Sequence, residues 1–513
     1  AAICPFYDAL LDAENDIRQV LVRQEANGGH AANGYARISG KPAVCIATSG
    51  PGATNLITAI ATAYADSIPI VCITGQVNTD QIGSDVFQEA DITGSAEPFV
   101  KHSYLLKDPE DTARVFKEAF YIAGTGRPGP VLIDIPMDVQ KAVIDFEYPE
   151  KCEIRSYKPT TKGNYVQVRR VMAALEEAEK PLICIGGGVF AAHAENEIRE
   201  LADLMQIPVI TTMMGISVFP DDDQLFCGMI GTHGVKMANA AVNECDVLFL
   251  VGARVGDRAV KTPLALEKTT KIIDIDPAEI GKNIGADLPL VGDAKLVLQQ
   301  MTELAKPMKH DEWIAHIKTL GGERKYVEPA KGTVNPRVFI DRLAKKMPAN
   351  VTVVADVGQN QIWTCTEYKF RKEGRLLTSG GMGTMGYSVP AAIGAKMADD
   401  SRATVAICGD GAFQMSFMEL ATAVQFGVDI KVAVMTNNRL GMVRELQTNG
   451  YHDRQTAVFL DGSPDFIKLA EAYGIPAMRV YDDATMEKGV EMLAEHKGIC
   501  LVEVVVDKDM PTL

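Results

Sequence analysis

The stretch Thr404-Val-Ala-Ile-Cys-Gly-Asp-Gly-Ala-Phe413, then Met415–Phe426, then Ile430-Lys-Val-Ala-Val-Met-Thr-Asn-Asn438, reads as strand, Gly-Asp-Gly turn, helix, strand and Asn-Asn. Crossovers between parallel strands are right-handed, so Asp410 and Asn437 are expected side by side at the carboxyl edge of one sheet, where open α/β sheets bind ligands. Two oxygen ligands suit Mg²⁺, which takes one or two protein oxygens and completes its shell with phosphate and water. Gly409 and Gly411 would let backbone approach a diphosphate closely. Gly-Asp-Gly alone is an ordinary turn sequence. Its pairing with Asn-Asn after the next strand makes the metal reading specific.

The same alternation of short β-branched runs and helical stretches extends along the chain, which predicts an α/β protein of three doubly wound parallel-sheet domains. A length of 513 residues suits that number. Strands are expected at Val20–Arg23, Ala43–Thr48, Ile70–Thr74 and Val131–Ile135, at Leu182–Ile185, Val209–Thr212, Val247–Val251 and Lys271–Ile275, and at Val351–Ala355, Thr404–Cys408, Ile430–Met435 and Leu501–Val506. Polar stretches near 150–164 and 306–335 read as linkers. The expected domains are therefore 1–150, 165–305 and 336–513.

The net charge of −16, from 51 Lys and Arg against 67 Asp and Glu, weighs against nucleic acid and anionic lipid as partners. No apolar run approaches the ~20 residues of a membrane span. Ten cysteines are scattered without a CxxC pair, several inside apolar runs such as Val44-Cys45-Ile46, a pattern expected of a reducing cytoplasm.

The Gly-Asp-Gly to Asn-Asn arrangement resembles the diphosphate-and-magnesium motif of thiamine-diphosphate enzymes. The resemblance implies a glutamate that hydrogen-bonds the cofactor's aminopyrimidine and promotes loss of the thiazolium C2 proton. Glu25, read as ending a strand Val20–Arg23 before a helix of small residues, is the candidate. The loop Ser49-Gly-Pro-Gly52, weak alone, supports it in this order.

Further segments, among them Gly34-Tyr-Ala-Arg37, Phe87-Gln-Glu-Ala-Asp-Ile92, Gly126-Arg-Pro-Gly-Pro-Val131 and Gly441-Met-Val-Arg444, are similar to the acetohydroxyacid (acetolactate) synthase catalytic-subunit family over essentially the whole chain. That resemblance implies three roles in order: a pyrimidine-binding domain, a central FAD-binding domain and a diphosphate- and Mg²⁺-binding domain. It implies decarboxylation of pyruvate and transfer of the two-carbon unit to a second 2-keto acid, pyruvate or 2-ketobutyrate, in branched-chain amino acid biosynthesis. Glu25, Gln88 and Arg258 would be catalytic, Arg258 gripping the acceptor's carboxylate. Thiamine diphosphate would also meet Gly383, Met385, Gly409, Asp410, Gly411, Asn437 and Met442, and Mg²⁺ would take Asp410, Asn437 and the Arg439 carbonyl. A largely structural FAD would meet Arg127, Gly187, Gly188, Thr212, Met213, His233, Gly252, Arg254, Asp274 and Asp293. Phe87, Met137, Arg258 and Leu446 would line the substrate channel. Two plainer roles stay open: Met385 as a core gap-filler and Arg258 as the ion-pair partner of Asp257.

Met137, Thr232, Asn360 and Leu446 depart from the family's usual Lys, Met, His and Trp, which leaves acceptor preference open. The chain opens inside the family's Tyr-Pro-Gly-Gly segment, so a preceding strand and helix are expected to be missing. The resemblance further implies a homodimer or dimer of dimers and a small regulatory subunit. A related 2-keto-acid decarboxylase or oxidase, or a non-catalytic subunit of the same fold, stays open as the alternative.

Overall fold

A computed structural model describes residues 2–13, 17–260, 266, 270–275, 280–322 and 326–513, without the side chain of Asp274. Three parallel sheets follow one another along the chain. The first holds β1 (Ala43–Ala47), β2 (Ile70–Gln76), β3 (His102–Leu105) and β4 (Val131–Pro136) in the order β1-β2-β4-β3. The second holds β5 (Pro181–Ile185), β6 (Val209–Thr211), β7 (Phe226–Met229), β8 (Val247–Val251), β9 (Lys271–Asp274) and β10 (Leu288–Pro289) in the order β10-β9-β8-β5-β6-β7. The third holds β11 (Thr352–Ala355), β12 (Arg375–Leu377), β13 (Thr404–Gly409), β14 (Lys431–Thr436), β15 (Ala477–Val480) and β16 (Cys500–Val505) in the order β12-β11-β13-β14-β16-β15.

All the strand pairings are parallel, and the inner strands β2, β5, β8 and β14 are buried along their whole length. Helices on both faces explain why these strands read as continuous apolar runs and not as alternating ones. In the second sheet the chain leaves β5 first to one side and later to the other, which puts a topological switch point between β5 and β8. The third sheet has its switch point between β11 and β13. Crevices at such points, outside the carboxyl ends of the strands, are where doubly wound sheets take ligands.

Five strands lie outside the sequence reading: β3, β7, β10, β12 and β15. β3, β10 and β15 are largely half-exposed, and all five are only 2–4 residues long, so they leave no apolar run to detect. The expected strand at Val20–Arg23 is a correction, because residues 20–22 carry no regular structure, Arg23 lies in a bend, and the segment pairs with no sheet. Its hydrogen bonds go elsewhere: the buried Glu419 carboxylate accepts from the backbone N–H of Arg23 at 3.0 Å and of Gln24 at 3.2 Å. Met415–Phe426 is likewise not one helix but a 3₁₀ turn, Phe417–Glu419, leading into Leu420–Phe426.

The first and third sheets are joined through two helices, Glu25–Ser39 and Ser388–Ala398. The second is buried over nearly its whole surface, which fits its run of small apolar residues. Tyr387 Oη donates to Asn33 Oδ1 at 2.8 Å beside this crossing, and Asp66 accepts from the backbone N–H of Gly380 and Gly381 while pairing with Arg37 at 2.8 Å.

Candidate active site

Asp410 is the first residue of the turn after β13, and only 1% of it is exposed. Its Oδ1 accepts from the Gly411 N–H at 2.9 Å, and its Oδ2 accepts from the N–H groups of Asn437 at 3.1 Å and Asn438 at 2.6 Å. The register Gly409↔Met435 brings the ends of β13 and β14 level, so the carboxylate and the Asn-Asn turn lock together. Asn438 reaches this position with a φ of 54°. Burial raises the Asp410 carboxyl to about 6, against those backbone hydrogen bonds. A cation beside it would offset the cost of burying the charge.

Asn437 donates from Nδ2 to Gln359 Oε1 at 3.4 Å, and its Oδ1 accepts from the Arg439 N–H at 3.0 Å. Gln359 in turn donates to Glu445 and to the carbonyl of Met510, which fixes which way its own amide points. A methyl group on Gly441 would overlap Gln359 Oε1, so Gly441 is required by this packing. Met385 lies against Gly411, where an added methyl would come within 3.6 Å of its Cε. Gly383 has a φ of 70° with open space around it. Among the described residues no three His, Cys, Asp or Glu side chains converge on a metal position. An ion at Asp410 and Asn437 would have one carboxylate and otherwise neutral or ligand oxygens around it, a set that suits Mg²⁺ on a diphosphate.

Asn360, one of the departures from the family pattern, is buried at the β11–β13 switch point, where its Nδ2 donates to the carbonyls of Asp356 at 2.8 Å and Ile407 at 3.1 Å. It ties the two strand ends that flank the crevice.

Glu25 stands not at a strand end but as the first residue of helix Glu25–Ser39, with Gln24 as N-cap. A carboxylate there is favoured by the helix dipole. Its Oε2 accepts from Asn55 Nδ2 at 3.0 Å, and its Oε1 faces the Gly52 loop. Gly50, in the same loop, sits against Gln88, whose φ is 60°. Glu25, the glycine loop and Gln88 thus form one cluster, and Asp410, Asn437, Gly411, Met385 and Gly441 form another. No hydrogen bond or ion pair among the described residues joins Glu25 to Asp410 or Asn437.

Of the expected channel residues, Phe87 is 87% exposed and Leu446 57% exposed. Met137 opens the short helix after β4. Met442 is half-buried on the helix Gly441–Gly450, which also carries Leu446. The Arg258 side chain is 78% exposed, 3.7 Å from Asp257. Its carbonyl accepts from the Thr232 N–H, and its charge, after burial, helps lower the His233 pKa.

Of the residues expected around FAD, Gly187, Gly188 and Gly252 lie at the β5–β8 switch point, and Thr212 donates its N–H to the Ile185 carbonyl beside it; such a crevice is where a doubly wound sheet takes a ligand. Several of them already serve the chain itself. Methyl groups on Gly186, Gly188 or Gly252 would overlap the facing backbone, and one on Gly187 would come 3.2 Å from Met214. Strand-end packing therefore accounts for Gly186 and Gly188. Arg127 donates to Ser67 Oγ at 2.8 Å, Arg254 to the Ala65 carbonyl at 3.0 Å, and Asp293 caps the helix Ala294–Thr302. Thr212 and Met213 form the turn after β6. The Asp274 side chain lies outside the described residues.

The sequence reading missed Gln359 and Glu419. Gln359 lies in Gly358-Gln-Asn-Gln361, already noted for Asn360, so its position could have been found. Glu419 sits in a helical pattern, where a lone Glu reads as solvent-facing.

Three segments match the thiamine pyrophosphate enzyme family: residues 1–95 its N-terminal TPP binding domain, 168–301 its central domain and 356–504 its C-terminal TPP binding domain. Fold and site together thus define a thiamine-diphosphate enzyme. The chain is 44% identical to a probable acetolactate synthase large subunit of Methanocaldococcus jannaschii, over 99% of this chain and 88% of that protein. It is 43% identical to an acetolactate synthase of Mycobacterium bovis, over 99% and 84%, and 43% identical to an acetolactate synthase large subunit of Corynebacterium glutamicum, over 93% and 78%. The chain belongs to the acetolactate synthase large-subunit family.

Proposed function

We propose that this enzyme condenses pyruvate, after decarboxylation, with a second 2-keto acid to give 2-acetolactate or 2-aceto-2-hydroxybutyrate. The observation that carries the reading is the locking of Asp410 onto the Asn437-Asn438 backbone beside a switch point, in a chain whose relatives bear the acetolactate synthase name. Bound thiamine diphosphate supplies the electron sink for decarboxylation. Asp410, Asn437 and the Arg439 carbonyl would hold Mg²⁺, which would anchor the cofactor. Glu25 holds the proton that the aminopyrimidine exchanges. Met385 presses an apolar side chain toward the cofactor, and Arg258 offers a planar fork to the acceptor's carboxylate.

FAD is assigned to the β5–β8 crevice, as a structural group. A homodimer or dimer of dimers is part of the proposal: no hydrogen bond or ion pair among the described residues joins Glu25 to Asp410 or Asn437, and a neighbouring chain could bring the two clusters face to face. A small regulatory subunit is proposed from the "large subunit" names of the relatives. No helix among the described residues is long and apolar enough to cross a membrane, and cytoplasmic placement is part of the proposal. The test is an assay of pyruvate turnover in which acetolactate, acetaldehyde and acetate are measured together. Acetolactate as the main product supports the reading. Acetaldehyde or acetate in its place assigns the chain to another thiamine-diphosphate reaction.

A further inference from the structure

Away from both clusters, a cleft of about 450 Å³ opens between the second and third domains. That volume lies within the roughly 300–1,000 Å³ of small-molecule sites. Five cations line it, Arg199, Lys295, Lys372, Arg375 and Arg402, against two carboxylates, Glu195 and Glu373. The excess of positive charge stands out in a chain whose net charge is −16.

This charge is partly neutralised: Glu195 pairs with Arg375 and Glu197 with Lys295, and carboxylates also lie near Arg199 (Glu195, Asp223, Glu373, Asp203) and Arg402 (Asp399, Glu373). Arg199 spends its donors on the Val218 carbonyl, and Arg402 on Thr352 Oγ1 and the carbonyls of Val351 and Glu373. Those partners carry no charge. Lys372 makes no ion pair among the described residues, and Lys295 lies 3.4 Å from Glu197. Arg375 links the cleft to both other domains. Its Nη1 pairs with Glu195 at 3.0 Å, its Nη2 donates to the Arg37 carbonyl of the first domain at 3.2 Å, and its guanidinium stacks 3.6 Å over the Phe190 ring. Its Nε is buried without a hydrogen-bond partner, which costs free energy unless something accepts from it. Burial lowers the Arg375 pKa to about 10, with the Arg402 and Arg37 charges acting in the same direction and Glu195 opposing.

We propose that this cleft binds a small polyanion of the di- or triphosphate class, which Arg375, Arg402 and Lys372 of the third domain and Arg199 and Lys295 of the second hold between them. Planar guanidinium forks match phosphate oxygens, and lysines add mobile charge at the rim. None of these residues belongs to the thiamine-diphosphate or flavin sets above. Because Arg375 also holds the end of helix Glu25–Ser39, an occupant would stiffen the junction of all three domains, and binding to the native state alone raises stability.

The experiment uses holoenzyme saturated with thiamine diphosphate, Mg²⁺ and FAD, so that those diphosphate sites are filled. Inorganic pyrophosphate is titrated by calorimetry at fixed free Mg²⁺, with sulfate as comparison. The expected result is one pyrophosphate per chain, bound at least tenfold more tightly than sulfate and progressively weakened by NaCl. The double variant Lys295→Gln/Lys372→Gln, on the exposed rim, should weaken it at least tenfold with an unchanged far-UV spectrum and unchanged cofactor retention. Arg375→Lys, which keeps the charge and loses the fork, should also weaken it. Absence of binding, equal affinity for sulfate, undiminished binding to the rim variant, or displacement by excess thiamine diphosphate would each overturn the proposal.

Discussion

Gly34 and Gly394 each lie against the backbone of the opposite helix where Glu25–Ser39 and Ser388–Ala398 cross: a methyl on Gly34 would overlap the Ala391 carbonyl, and one on Gly394 the Ala31 carbonyl. Because the obstacle on each side is backbone, no side chain can rotate away. This contact sets how closely the domain bearing Glu25 can approach the domain bearing Asp410.

Gly34→Ala and Gly394→Ala are each expected to destabilise the protein by ~1–3 kcal/mol, the usual cost of overpacking. Helix propensity pulls the other way, since Ala is better than Gly by ~1 kcal/mol in a helix interior. The clash should win, giving a lower thermal midpoint for each variant. A raised midpoint would show that the helices separate freely.

Neither glycine announces this role in the sequence, because a close approach between residues 360 positions apart leaves no local pattern. The Asp410–Asn437 site was legible for the opposite reason. Its two strands are buried on both faces, so each reads as an apolar run, and the turn chemistry between them is local. Glu25 was singled out through resemblance, and its setting differs from the reading, since it opens a helix instead of ending a strand. The β-branched run Val20–Arg23 has strand composition, yet its backbone donors are taken by Glu419 from another domain. Long-range partners of that kind override local propensity.

Asp410→Ala should abolish Mg²⁺-dependent retention of thiamine diphosphate, because the carboxylate is oriented by three backbone N–H groups that no neighbour can replace. Glu25→Gln should keep the cofactor and lose ~10²–10⁴-fold in the rate of C2 proton exchange. Equilibrium dialysis and hydrogen–deuterium exchange of the bound cofactor separate the two effects. Mixing the two inactive chains should restore part of the activity if neighbouring chains share the site.

Asp134, between β4 and β2, accepts from Thr74 Oγ1 at 2.7 Å and Gln76 Nε2 at 2.9 Å, yet burial pushes its carboxyl up to about 7, the Asp91 charge adding to the rise. Unfolded, an aspartate titrates near ~3.9. A raised folded value means that its contribution to stability is fully present below about pH 4 and is lost as the pH rises through about 7. The stability difference between parent and Asp134→Asn should therefore shift against the parent from pH 5 to pH 8. Urea unfolding across that range measures it, and a pH-independent difference would mean that Asp134 is ionised throughout.

Arg258 and Leu446 test the acceptor side. The Arg258 side chain is free enough, at 78% exposure and 3.7 Å from Asp257, to turn toward a carboxylate, so Arg258→Ala should cripple carboligation while sparing decarboxylation. Leu446 projects from helix Gly441–Gly450 with 57% of its surface exposed, where the family usually has Trp. The smaller side chain leaves room beside the acceptor's alkyl group and removes an aromatic wall. A difference of about one methylene in such a pocket is worth ~1–3 kcal/mol, so the preference for 2-ketobutyrate over pyruvate should be weakened, not reversed, and Leu446→Trp should strengthen it. The measurement is product partitioning with both keto acids supplied. An unchanged ratio in Leu446→Trp would remove that position from acceptor choice, and equal loss of both half-reactions in Arg258→Ala would make Arg258 a structural residue paired with Asp257.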